Sequence, residues 1–207
     1  MSRIKEIDMS DSTTTLRDQL GLGHQPASLQ DSALLLIDCQ NTYREGVMQL
    51  TGVEEALVEA RKLLDRAREL NIPVIHVRHD AGEGSPFDIR AESGAIADIV
   101  APQADEPVIT KNYPNSFVQT DLDEQLKALG VTNIVLAGFM THMCINSTAH
   151  GGFNLGYAPT VVASATASRT LETGSGTTLS AQEVHDAALA STRDLYAAVV
   201  ERVEDLP

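Results

Sequence analysis

The chain has 207 residues, 43% of them hydrophobic and 21% charged, with a formal net charge of −14. That length suits one domain with a full core, and the acidity argues against nucleic acid and anionic membranes as partners, since phosphate contacts need clustered Lys and Arg. No apolar run approaches the ~18 residues of a membrane span, the polar N-terminus does not read as a signal peptide, and two cysteines make neither a disulfide framework nor a zinc motif, so a reducing, cytoplasmic setting is expected.

Residues 1–30 are polar, rich in Ser and Thr, and carry no sustained period. They read as an extension, mobile or packed on a neighbouring subunit, ahead of a single domain over 31–207. From Ala33 the run ALLLID predicts a strand buried on both faces. Val53, Ala56, Leu57, Ala60, Leu63, Leu64, Ala67 and Leu70 recur at steps of three and four, predicting an amphipathic helix that Asn71 and Pro73 stop. PVIHV is a second strand, followed by the loop RHDAGEGSPFDIR with its Gly and Pro breakers. Residues 91–100 predict a short helix and EPVITK a third strand. TDLDEQLKALG predicts a helix with Thr120 and Asp123 as a capping box and Gly130 as the C-terminal stop.

NIVLAG is a fourth strand, with Gly138 giving a tight exit. Residues 144–155 predict a helix, weakened by Gly151 and Gly152, which allow close packing on a sheet. PTVVAS is a fifth strand. The last helix starts at Ser180, with Glu183 completing a capping box, and runs to about Val203. TGSGTT at 173–178 does not open a helix directly after a strand, so it is a poor phosphate loop. The alternation predicts an α/β fold, a Rossmann-like open parallel sheet of five or six strands with helices on both faces. Right-handed crossovers place all strand C-terminal ends along one edge, where ligands sit in such sheets.

Three polar residues belong to that edge. Asp38 ends the first strand, Lys111 ends the third, and Cys144 follows the fourth. Near a helix start, unpaired N–H groups and the helix dipole favour a thiolate. A nearby carboxylate can take the thiol proton and an ammonium can balance the anion. Taken singly, each residue has a plainer reading: a buried small thiol, a turn-capping Asp, a solvated Lys. Cys39 is expected to face away from Asp38 and pack in the core, and His142, two residues before Cys144, is not needed as a base. Tyr43, Phe117 and Phe139 are candidate pocket walls. His76 in its strand, His79 in the following loop and Arg169 read as ordinary polar residues.

LLLIDCQNTY, VITKNYPNSF and VLAGFMTHMCINSTAHGGFNLGY together resemble the isochorismatase-like cysteine hydrolases, the superfamily of nicotinamidase and N-carbamoylsarcosine amidohydrolase, over most of 31–203. The resemblance implies a Rossmann-like sheet and an Asp–Lys–Cys triad, which falls on Asp38, Lys111 and Cys144. It also implies a cis peptide at Phe139–Met140 and an oxyanion hole from the backbone N–H groups of Met140 and Cys144. A dimer or tetramer is implied as well. Nicotinamidases bind a metal through an Asp-x-His pair after the second strand. VIHVRHDAGEG has His76, His79 and Asp80 in another order, so neither metal nor cofactor is expected. The function expected is hydrolysis of a small-molecule C–N bond through a thioester. A vinyl-ether hydrolase, an idle scaffold of the same fold and a thiol redox protein remain as alternatives, although retention of Cys144 favours C–N cleavage.

Overall fold

A computed structural model describes residues 13–207, and residues 1–12 of the N-terminal extension lie outside the described residues. In chain order the elements are α1 (Leu16–Gln19), β1 (Ser32–Ile37), α2 (Val53–Glu69), β2 (Val74–His79), β3 (Val108–Lys111), α3 (Leu122–Leu129), β4 (Asn133–Phe139), α4 (Asn146–Asn154), β5 (Ala158–Ala167), β6 (Leu171–Glu172), β7 (Thr178–Leu179), α5 (Ala181–Leu195) and β8 (Ala198–Val200). Six strands form one parallel sheet in the order β3-β2-β1-β4-β5-β8. Strand order reverses between β1 and β4, which makes the space beyond their C-terminal ends the switch point of the fold.

The run of apolar residues in β1 works because both faces of the sheet are covered. Leu34 and Leu36 enter the core that α2 closes with Leu57, Leu63 and Leu64. Ala33, Leu35 and Ile37 enter the opposite core, which holds Leu122 and Leu126 of α3 and Ala149 of α4. The same alternation divides β4, with Val135 and Ala137 on one side and Ile134 and Leu136 on the other. Gly138 pairs with Ile37 at φ +116, and a Cβ there would overlap the Ile37 carbonyl. Only glycine lets β4 approach β1 this closely. Gly152 similarly brings α4 against Ile134 and Phe117.

Several local expectations change. Residues 91–100 form two short 3₁₀ turns, Glu92–Gly94 and Asp98–Val100, rather than a helix. Gly94 sits against the Asp88 carbonyl and its backbone carbonyl accepts from Gln40 Nε2, so long-range contacts decide this stretch. The capping box of α3 does not form: Thr120 Oγ1 donates to the Ser116 carbonyl and Asp121 occupies the N-cap. The box of α5 does form between Ser180 and Glu183. That helix ends at Leu195, and the β-branched segment beyond it becomes β8, the edge strand paired with β5. TGSGTT turns the hairpin between β6 and β7. Within the extension, α1 packs on its own chain: Leu16 N–H donates to Asp194 and Arg17 to the Leu195 carbonyl. Among the described residues, no helix is long and apolar enough to cross a membrane.

Candidate active site

The sheet brings four strand ends together. Asp38 follows β1 with φ +52, a left-handed conformation that Asp tolerates, and its N–H donates to the Val77 carbonyl. His79 closes β2 and Lys111 closes β3, and the two are register partners. Cys144 lies beyond β4 in a π-helical turn, Thr141–Ile145, which leads into α4. The peptide bond between Phe139 and Met140, where β4 meets this turn, is cis.

Asp38, Lys111 and Cys144 meet in the interior. Lys111 Nζ donates to Asp38 Oδ2 at 2.6 Å and to Cys144 Sγ at 3.4 Å. Both charged side chains are fully buried. A buried ion pair needs its remaining polar atoms satisfied, yet Asp38 Oδ1 has no hydrogen-bond partner among the described residues. That oxygen is the free acceptor of the cluster.

Burial pushes the Asp38 carboxyl above its ordinary range, and the Lys111 ammonium pulls against that shift. Burial also pushes the Cys144 thiol up, and the Asp38 carboxylate pushes it further, with Lys111 opposing. These shifts run against the thiolate-favouring effect expected of a helix start. Desolvation of a nearly buried sulfur outweighs the helix terminus, and burial raises the Asp38 carboxyl as well. A carboxyl raised by burial is a stronger base than an ordinary carboxylate.

Aromatic rings pack together near the cluster. Tyr43 meets Phe139 edge-on at 5.6 Å and Phe87 at 5.5 Å, and Phe87 meets His79 at 5.3 Å. Tyr43 and Phe139 are fully buried in the α2-side core, whereas Phe117 stacks on Tyr157 and packs on the core beneath α4. Phe87 entered with the 80–90 loop and carries no signal in the sequence beyond its ring. Cys39 packs in the α2-side core, as expected, with its thiol raised by burial. His142 pairs with Ser168 through Nδ1 at 3.0 Å. His76 turns to Glu106, with Nε2 2.9 Å from Oε2.

Two residues read as ordinary are placed otherwise. His79 is the last residue of β2, not a loop residue, and its Nδ1 lies 3.4 Å from Lys111 Nζ. The rule that singled out Asp38 and Lys111, a polar residue at a strand end, would have found it had β2 been drawn two residues longer. Arg169 has a buried Nε without a partner among the described residues, and its charge acts on Tyr43, the ring that also feels Asp38 and Cys144.

The isochorismatase domain family matches residues 32–204. A secreted isochorismatase effector of Verticillium dahliae is 33% identical over 90% of this chain and 96% of its own. A maleamate amidohydrolase of Pseudomonas putida is 31% identical over 70% of this chain and 73% of its own. The crystal structure of an isochorismatase from Pseudomonas putida KT2440 superposes with a TM-score of 0.90 at 34% identity, covering 94% of this chain and 99% of that one.

Proposed function

The chain belongs to the isochorismatase family of hydrolases, and from that premise we propose that it hydrolyses a C–N bond of a small molecule with Cys144 as nucleophile. The observation that carries this reading is the buried contact of Lys111 with both Asp38 and Cys144, beside an Asp38 oxygen with no hydrogen-bond partner among the described residues. In the proposed cycle Asp38 takes the thiol proton and Sγ attacks the carbonyl carbon. The N–H groups of Met140 and Cys144 hold the oxyanion. The C–N bond breaks as Asp38 delivers the proton to the leaving nitrogen, leaving a thioester on Cys144. Asp38 then deprotonates a water that attacks the thioester, and the carboxylic acid leaves as the thiol re-forms. Lys111 keeps one positive charge beside whichever partner is anionic. Both thiols are free, which suits a reducing compartment, and a cytoplasmic location stays within the proposal.

Arg169 narrows the substrate class. An unpaired buried guanidinium nitrogen suits an anionic substituent, since Arg forms directed hydrogen bonds with carboxylates. A half-amide or carbamoyl derivative of a small carboxylic acid is the substrate class this arrangement favours, and maleamate is such a compound. Ammonia release from a panel of these compounds tests the reading. Wild type should turn over at least one, and Cys144→Ala and Asp38→Asn should each lower the rate by roughly a thousandfold or more with the fold intact. Undiminished ammonia release by Cys144→Ala would contradict it.

Likeness to a protein named as an isochorismatase effector supports a second reading, cleavage of a vinyl ether. That reaction releases a keto product instead of an amine and does not need the thiol. Retained ether cleavage in Cys144→Ala would favour it.

A further inference from the structure

We propose that His79 is a positioning residue that locks Lys111 in place between Asp38 and Cys144. The proposal rests on the nucleophile reading of Cys144 and extends it to a fourth side chain.

A lysine carries three N–H donors and no acceptor. Among the described residues, Lys111 Nζ has three such contacts: Asp38 Oδ2 at 2.6 Å, Cys144 Sγ at 3.4 Å and His79 Nδ1 at 3.4 Å. Each donor therefore has one acceptor, and His79 supplies the third. Because lysine can only donate, Nδ1 must accept, which places the imidazole proton on Nε2 and leaves the ring neutral.

The ring is held for this task. His79 and Lys111 are register partners on adjacent parallel strands, so their side chains leave the same face. The buried Gln40 side chain grips the His79 backbone twice, accepting from its N–H at 2.9 Å and donating to its carbonyl at 2.9 Å. Phe87 packs on the ring edge-on. The charged and titratable groups acting on the imidazole are Lys111 from β3, Asp38 from the end of β1 and Asp80 from its own segment. Burial and then the Lys111 charge hold His79 below its ordinary range, and Asp38 and Asp80 oppose that. Protonation would set an imidazolium against an ammonium and remove the acceptor at once. Lys111 would then leave Cys144, and the thiolate would lose its counter-charge.

The test follows alkylation of Cys144 by iodoacetamide, read on the Cys144 peptide by mass spectrometry, from about pH 5 to 8. The proteins are wild type, Lys111→Met, His79→Ala and His79→Gln. His79→Ala should slow alkylation near neutral pH by roughly tenfold, the loss of one hydrogen bond to a charged group. His79→Gln, whose Oε1 accepts but does not titrate, should recover most of that rate. The wild-type rate should fall more steeply than tenfold per pH unit on the acid side, where His79→Gln keeps to about tenfold. Nitrogen-15 NMR of the wild-type ring gives a readout that needs no variant to fold: Nδ1 unprotonated and Nε2 protonated at neutral pH. The opposite tautomer would overturn the proposal. So would His79→Ala matching wild type at every pH while Lys111→Met is slow. Equal rates in wild type and Lys111→Met would overturn the activated-nucleophile reading itself, and this proposal with it.

Discussion

Asp38 and Lys111 surrender their hydration completely, and each is tolerable inside the protein only because the other is there. Removing one member leaves an uncompensated charge. Lys111→Met should therefore lower unfolding stability by about 3–5 kcal/mol, whereas the double variant Asp38→Asn with Lys111→Met should lie well above the sum of the two singles. Urea unfolding of the four proteins checks this, and strict additivity would show that the pair is not coupled. Asp38, Lys111 and Cys144 were legible in the sequence because each follows an apolar run at one edge of a predicted sheet. The direction of the Cys144 shift was not legible. It depends on burial and on Asp38, more than a hundred residues away in the chain, and these push the thiol the opposite way from a helix terminus. Arg169 likewise reads as a loop contact because nothing in its sequence neighbours reveals that its Nε has no partner among the described residues.

At the scale of elements, periodicity served where burial is regular. The strands β1 and β4 and the helix α2 were legible because their side chains alternate between, or line, well-defined cores. It failed at 91–100, where Gln40 and Asp88 organise the chain through backbone contacts, and past Leu195, where pairing with β5 turns a helical pattern into β8. A polar cluster at the opposite end of the sheet joins three elements. Glu106, just before β3, binds Arg68 of α2 and His76 of β2, each at 2.8–2.9 Å. Burial pushes the Glu106 carboxyl up, but hydrogen bonds from Arg68, the Gln103 N–H and His76 more than offset this and hold it at about 2. Its folded value lies below its unfolded one, so its stabilisation is present above the ordinary carboxyl range and lost as pH falls from about 5 through 2. Burial also holds His76 below its ordinary range, so its protonation on unfolding weakens the fold in the same direction, starting below about pH 6.5. Glu106→Gln should lower stability at neutral pH by on the order of 2 kcal/mol and flatten the acid limb of a stability–pH curve. An acid limb as steep as wild type would place the titrating group elsewhere.

On the scale of the whole molecule, the site exists because four strand ends converge at one edge of one parallel sheet. The switch point lies between β1 and β4, and those two strands carry Asp38 and lead to Cys144. The alternation of strands and helices made that edge predictable, whereas the positions of Phe87 and Arg169 were not, because they lie on irregular segments whose paths depend on contacts with the rest of the fold. The covalent intermediate is where the account is most exposed. A panel compound that releases ammonia should be mixed with the protein, quenched in acid during turnover and examined by intact-protein and peptide mass spectrometry. The account predicts an added mass equal to the acyl portion of the compound, located on the peptide containing Cys144 and absent from Cys144→Ala. Turnover of the same compound by Cys144→Ala, or an acyl group carried on any other residue, would contradict it.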